Sequence, residues 1–281
     1  FIYTFLWSLL LIIPGIIKWV IAIILVVMQV YPFFYVFTSS FKSLDDFRQL
    51  PAYALPSKWV LTNFINVFTK SHMLTYFKNS IIVLIGVLIP LLLFALMAGF
   101  ALSKIKFKGR KFVLNYFLLG LMLPMQVALI PLFTIFNKMG LINTYLGMMI
   151  VFFVSAMNIF QFRQSFKTFA TTLKEAAHID GCSNFTFFLR ILLPTNISTV
   201  LTVFITAFIG TWNTYLWPLL VTNKTEMRTV QVGITMLNFS EGTVYGPIMA
   251  ASIMVLLPSL ILFLTFQKRI VSGMMAGGVK G

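Results

Sequence analysis

The chain of 281 residues is 59% hydrophobic and only 10% charged, with 31 Phe, 15 Met and a mean hydropathy of +0.97. That composition is the mark of a multi-pass membrane protein. The formal charge of +15 is scattered over short loops, which fits membrane orientation and lipid headgroups and argues against nucleic acid as a partner; a single cysteine, Cys182, excludes an intramolecular disulfide, and two separated His argue against a metal site.

In chain order, residues 1–18 read as an N-terminal interfacial extension. The apolar run from Phe1 to Ile13 ends at Pro14-Gly15 and is too short to span a bilayer before Lys18. Without a basic start or a small-residue cleavage site it does not read as a signal peptide. A membrane domain over 19–281 follows. Its first span is Trp19–Thr38, bent at Pro32. Residues 39–79 are polar enough for a long outside loop, and Asn79 and Ser80 are placed to cap the second span, Ser80–Ser103. Residues 104–111, KIKFKGRK, are purely basic in charge and belong on the cytoplasmic side. The third span, Phe112–Phe136, contains Pro124 and Pro131 and is expected to kink at both. Asn137–Ile142 is a short outside loop, Asn143–Gln161 the fourth span, and 162–196 a polar island. The fifth span runs from about Ile197 to Leu220, 221–245 is an outside loop, the sixth span is Gly246–Phe266, and 267–281 is a cytoplasmic tail.

Six spans place both termini inside. The inside segments then hold 12 basic and 2 acidic residues, and the longer outside segments 8 and 4, the asymmetry expected of that orientation. None of the six spans contains Asp, Glu, Lys or Arg, whereas ion-coupled carriers commonly keep ionisable groups in the membrane. Uphill transport therefore needs outside power, and the chain has no GxxxxGK[ST] loop with which to bind ATP. An intramembrane enzyme is disfavoured too, since no span offers an acid pair, HExxH or a Ser/His dyad.

Within the island, Leu173–Pro194 reads LKEAAHIDGCSNFTFFLRILLP. Leu173, Glu175, Ala176, Ala177 and Ile179 make a short helix, Asp180-Gly181 breaks it, and a second helix presents Phe185, Phe188, Leu189 and Leu192 on one apolar face. Gly181 makes the turn, where a left-handed backbone costs a residue with a side chain about 1 kcal/mol or more. Asp180 is placed to cap the second helix. The whole is a docking knob at the membrane surface, although Glu175 taken alone also reads as a solvated helix charge. His72 and His178 read as surface residues.

Glu175-Ala176-Ala177, Asp180-Gly181, Phe188 and Leu193-Pro194, at this spacing, resemble the EAA loop of membrane subunits of bacterial ATP-binding-cassette (ABC) importers; Cys182 stands where that family more often has Ala. Further stretches are similar, in order and spacing, to sugar-importer permeases of the maltose-transporter type, in particular the MalG-like half. They are Ala98-Gly99-Phe100-Ala101 before Phe107-Lys108-Gly109-Arg110, Leu123-Pro124 to Ile130-Pro131-Leu132, Gly140-Leu141-Ile142-Asn143-Thr144, Trp212-Asn213-Thr214-Tyr215-Leu216-Trp217-Pro218-Leu219, and Ala276-Gly277-Gly278-Val279-Lys280-Gly281. The resemblance covers roughly 19–281.

It implies an all-α membrane protein with six transmembrane helices, the type I ABC importer permease fold, in the bacterial plasma membrane. The implied cargo is a disaccharide or oligosaccharide; a glycerol-3-phosphate or related phosphodiester importer is the alternative, and an independent secondary carrier or channel the distant one. The implied partners are a second, MalF-like permease, two sugar-type ABC ATPase subunits, an extracellular solute-binding protein and membrane lipid. No cofactor is expected on this chain, which is not itself an enzyme; ATP and Mg belong to the partner ATPase. Glu175, Ala176, Ala177, Asp180, Gly181, Phe188 and Pro194 are implied to couple to that ATPase. Gly277, Gly278 and Lys280 are implied to reach it, the Gly-rich tail otherwise reading as a flexible end. Thr211, Trp212, Asn213, Tyr215 and Trp217 are candidates for the substrate pathway, where amides, hydroxyls and aromatic faces suit a neutral, hydroxyl-rich ligand. The two Trp equally read as interfacial anchors.

Overall fold

The computed structural model describes residues 15–49, 55–237 and 245–278, with side chains as far as residue 267. Among the described residues every regular element is helical. The chain divides into two compact units, one of Phe1–Ser71 with Leu237–Leu256, the other of His72–Met236 with Leu257–Gly281.

In the first unit, α1 (Gly15–Ser39) starts within the stretch read as an extension, so Lys18 lies in the helix and 1–14 fall outside the described residues. A lysine near a helix end is tolerated because its aliphatic stem lies along apolar surface while the ammonium reaches out. Two short helices follow, α2 (Leu44–Arg48) and α3 (Thr62–Thr69). Ser43 and Asp46 form a capping box on α2: the Ser43 hydroxyl accepts from the Asp46 amide, and the Asp46 carboxylate accepts from the Ser43 amide at 2.9 Å. Carbonyls just past the end of α1 are satisfied by the Asn63 amide, which donates to Ser40 O and Lys42 O at 2.9 and 2.8 Å.

The second unit is built on α4 (Met73–Lys104). Its buried residues Leu84, Val87, Leu88, Leu91, Ala95, Gly99 and Leu102 recur every three or four positions, a single stripe along the helix. The helix begins at Met73, not at the expected Ser80, so Asn79 and Ser80 cap nothing on α4. They bind loop backbone instead. Asn79 donates to Glu226 O and Arg228 O at 2.7 and 2.9 Å and accepts from the Tyr145 hydroxyl at 2.7 Å, while Ser80 Oγ accepts from the Val230 amide at 2.8 Å.

After α4 the chain forms α5 (Arg110–Met122) and α6 (Met125–Lys138), which meet at 101°. The expected break at Pro124 is present, because proline forces Leu123 into an extended conformation. At Pro131 the helix is not interrupted: α6 continues through it. Next come α7 (Tyr145–Met149), a 3-10 turn (Ile150–Phe152) and α8 (Ala156–Thr168), bent by 41° where the two halves join. Helix α8 thus extends through Thr168, seven residues into the stretch first assigned to the polar island. Two helices of that island, α9 (Thr171–Ile179) and α10 (Asn184–Thr195), form a hairpin, and α10 meets α11 (Ile197–Trp212) at 79°.

The fifth span, expected to run unbroken to Leu220, ends at Trp212. Asn213 Nδ2 and Thr214 Oγ1 donate to Ile209 O and Gly210 O at 2.9 and 2.8 Å, competing with the backbone, and Pro218 has no N–H to continue the ladder. The helix resumes as α12 (Leu216–Val221), with Pro218 in its first turn, where proline is tolerated. A 3-10 turn (Thr225–Met227) and α13 (Val230–Thr235) give structure to the stretch read as a loop, whose residues 238–244 lie outside the described ones. Finally α14 (Tyr245–Gly278) continues in backbone through Gly277 and Gly278, so those two tail residues lie in the last helix; Lys280 lies outside the described residues. Among the described residues three helices, α1, α4 and residues 245–267 of α14, are long and apolar enough to cross a membrane alone. The bent pairs α5–α6, α7–α8 and α10–α11 bring the total to six when each is one span.

The most extensive packing is between α4 and α8. It depends on Gly99: a Cβ there would fall 2.6 Å from Phe162 Cβ and 3.1 Å from the Arg163 amide nitrogen. Small residues are what allow helices to approach this closely in a membrane protein. Beside the contact, Phe162 and Phe166 stack at 5.7 Å, Phe188 sits 4.9 Å from Phe100 and edge-on to Phe166, and Phe187 packs edge-on to Phe169 at 5.9 Å. Phe162, Phe166 and Phe187 are fully buried. This cluster fastens α10 to α4 and α8.

Three expectations follow. Gly99→Leu should cost ~1–3 kcal/mol or more by overpacking and lower the melting temperature in detergent. Phe187→Ala should cost ~3–5 kcal/mol and speed amide exchange throughout α9 and α10. In the first unit, hydrogen bonds from Ser57 and then Ser43 outweigh burial and hold Asp46 at about 2, below the ordinary 3.8. A depressed carboxylate stabilises above its unfolded value and loses that contribution as pH falls towards the folded one, so protection of the Ser43 and Ser57 amides should fade between about pH 3.8 and 2. Asp46→Asn should remove that dependence.

Candidate functional site

The α9–α10 hairpin is closed by backbone geometry. Gly181 adopts φ +79°. Its amide donates to His178 O at 3.0 Å, and the Cys182 amide donates to Ala177 O at 2.9 Å. These are the two bonds of a Schellman turn, and glycine occupies the left-handed position. The expected cap from Asp180 is absent, because Asp180 ends α9. Ser183 takes the role: its Oγ accepts from the Thr186 amide at 3.1 Å.

One face of the hairpin is fixed and the other is free. Ala177, Phe187, Phe188 and Leu192 are buried. Phe185 and Leu189, grouped in the sequence with Phe188 and Leu192 on one apolar face, are exposed and so do not share the buried face. So many residues between 185 and 193 are apolar that two helical registers fit the pattern, and packing selects the one through 187, 188 and 192. A π turn at Phe188–Leu192 shapes this helix, with the Leu193 amide donating to Phe188 O; the wider turn accommodates Pro194, which cannot donate to Arg190 O. At the start of the hairpin Lys174 Nζ donates to Lys104 O at 2.7 Å, satisfying a free carbonyl at the end of α4, and Lys104 Nζ donates to Phe169 O at 2.6 Å. Burial, and then the charge of Lys106, push the Lys174 ammonium below the ordinary lysine value.

The free face holds Glu175, Ala176, Asp180, Gly181 and Pro194, all exposed. Among them stand Ile179, 87% exposed, and Phe185, 64% exposed, one on either side of the Gly181 turn. Two large apolar side chains at the tip of a rigid polar hairpin form a ready contact for another protein.

The pathway candidates divide. Trp212 and Trp217 are 4% and 2% exposed, so neither is an interfacial anchor. Trp212 stacks on Phe208 at 6.4 Å. Trp217 Nε1 donates to Gly147 O at 3.0 Å, with Phe136 edge-on at 5.0 Å. A cavity of about 290 Å³ is bordered by Asn213, Tyr215 and Trp217 together with Gln126. A larger one, about 580 Å³, lies against α8 and α11 and takes in Thr211, Ser155, Asn158 and Gln161. The last three were missed in the sequence, although their three-residue spacing in an otherwise apolar stretch puts them on one helix face.

The arabinooligosaccharides transport system permease protein of Halalkalibacterium halodurans is 36% identical over 227 residues, 80% of this chain and 81% of that protein. The lactose transport system permease protein of Rhizobium radiobacter is 35% identical over 219 residues, 78% and 80% of the two chains. The fold matches a chain in the crystal structure of a bacterial ABC transporter involved in the import of the acidic polysaccharide alginate, with a TM-score of 0.83 at 23% identity over 90% of this chain and 95% of that one. Residues 92–275 match the family of binding-protein-dependent transport system inner membrane components, and the chain belongs to that family of ABC importer permeases.

Proposed function

We propose that this permease passes a neutral disaccharide or oligosaccharide, delivered by an extracellular binding protein, and that its α9–α10 hairpin is the seat of a partner ATPase. The carrying observation is the hairpin: one face is locked into the helices by Phe187 and Phe188, and the other offers Ile179 and Phe185 around a glycine turn. A load applied to the tip is borne by α4 and α8 rather than dissipated in a loop. Two ATPase subunits, which bind ATP and Mg, close against this hairpin and its counterpart on a second permease, and the helices rock between inward and outward openings. The hairpin and both termini then lie in the cytoplasm, as the loop charges favour. The tail, with Gly277, Gly278 and Lys280, is assigned to the same ATPase by the resemblance alone.

The names of the two relatives support a saccharide as cargo. A second reading, a glycerol phosphate, has the support of a relative named for sn-glycerol-3-phosphate transport at 29% identity. Against it, neither cavity is lined by Arg or Lys, which a phosphate ester favours.

Gly181→Asp tests the seat. No atom lies within 4 Å of the Cβ it adds, so its cost is the left-handed backbone, and the helices remain folded. The variant should recover at least about tenfold less ATPase in a pull-down from membranes, about 1.4 kcal/mol of docking energy, and should lose uptake. Full recovery with normal uptake would overturn the assignment.

A further inference from the structure

We propose that Lys104, Lys106, Arg110, Arg163 and Lys174 form a site for the phosphate of an acidic phospholipid, whose headgroup ties the end of α4 to α8 and to the start of the hairpin. The site is separate from both cavities and from the hairpin tip, and it depends on neither the saccharide nor the ATPase reading.

The fold gathers these cations from four elements. Lys104 ends the apolar helix α4, Lys106 follows in the turn, Arg110 opens α5, and Lys174 lies in α9. Lys104 Nζ donates to Phe169 O at 2.6 Å and Lys174 Nζ to Lys104 O at 2.7 Å, while Arg110 donates to Ser103 O and Ile105 O, both at 3.3 Å. Arg163 enters from α8, whose backbone lies against Gly99, about one turn before Ser103. It is close enough to feel the charge of Arg110, as Lys174 feels that of Lys106 and Lys104 that of Lys174. None of the five forms an ion pair among the described residues; the ion pair there is Arg48 with Asp45, in the other unit. The carboxyl end of α4 attracts cations, but a helix dipole supplies only about half an elementary charge, and here it meets five. So many like charges repel one another until an anion joins them. Beside Arg110, the exposed Phe112, Tyr116 and Leu119 recur at four- and three-residue spacing on α5, a helix with no buried residue. A phospholipid matches both features: its phosphate takes charge-assisted hydrogen bonds from the cations, and its acyl chains lie along the apolar stripe. An acidic side chain of a soluble partner matches only the first.

The test places the whole transporter in nanodiscs of phosphatidylcholine, alone or in equal parts with phosphatidylglycerol. Native mass spectrometry should show phosphatidylglycerol retained in preference to phosphatidylcholine, and the melting temperature should be higher in the mixture. Neutralising each cation should weaken retention about fivefold, so Arg110→Gln/Lys174→Gln should lose the preference and the melting difference together. Lys108→Gln/Lys111→Gln removes as much charge from exposed positions outside the cluster and should keep both. If the first double variant does not assemble, Arg110→Gln alone and added salt on the wild type decide the matter, each of which should reduce the melting difference. No preference for phosphatidylglycerol in the wild type, or one that salt leaves unchanged, overturns the site. An equal loss in the two double variants overturns it too, since it marks a diffuse attraction to a basic surface. Inorganic phosphate that stabilises the transporter in phosphatidylcholine as much as phosphatidylglycerol does would assign the cluster to a soluble anion. An unchanged lipid preference in Arg110→Gln/Lys174→Gln with poorer recovery of the ATPase would assign it to acidic side chains of that partner, and either result overturns the lipid site.

Discussion

The aromatic cluster of Phe162, Phe166, Phe187 and Phe188 is the contact on which the working of this chain depends. It is where a short hairpin becomes part of the helix bundle rather than a loop hung from it. Each buried ring contributes roughly 1.5–3 kcal/mol, and the edge-on pairs add to that. The cluster in turn needs α4 and α8 in close approach, which the bare backbone at Gly99 permits. Glycine at 99 and phenylalanine at 162, 187 and 188 are thus parts of one fitting.

A different economy rules the cavity beside α8. There every polar side chain that borders the space is uncharged, and the Thr206 and Thr214 hydroxyls give their protons to carbonyls of their own helix. On the proposed reading of a saccharide cargo, uncharged groups suit a route that must be left again: a charge stripped of water binds its counterion tightly, whereas amides and hydroxyls exchange neutral partners at modest cost.

Much of this was legible in the chain. The order of spans, the break at Pro124 and the glycine turn at 181 all follow from local chemistry, since proline and a left-handed glycine act on the backbone whatever surrounds them. Helix ends were less so. Asn79 and Ser80 have the side chains of caps, and only the tertiary structure shows that they bind the backbone of 226–230 instead. The register of α10 was ambiguous because apolar residues crowd both candidate faces, and Ser183 displaced Asp180 as the cap because the Schellman turn uses up the intervening residues. Asn158 and Gln161 went unnoticed because a search for intramembrane charge passes over amides. Asn143 shows the reverse. It stood out only through family resemblance, and the structure supplies its reason: it adopts φ 58°, and its side-chain oxygen accepts from the amides of Asn223 and Lys224 at 2.7 and 2.9 Å.

The unexpected length of α4 has a mechanical meaning. Thirty-two residues of helix make a rod about 48 Å long. Near one end it is gripped by α8 and the hairpin's aromatic rings, and near the other Asn79 and Ser80 hold the backbone of residues 226–230 by three hydrogen bonds. A further bond, donated by the Tyr145 hydroxyl to Asn79, ties in the head of α7. A rod clasped at both ends works as a crank: a tilt imposed on it at the hairpin is carried along one continuous helix, through Pro90, to the segment around Arg228.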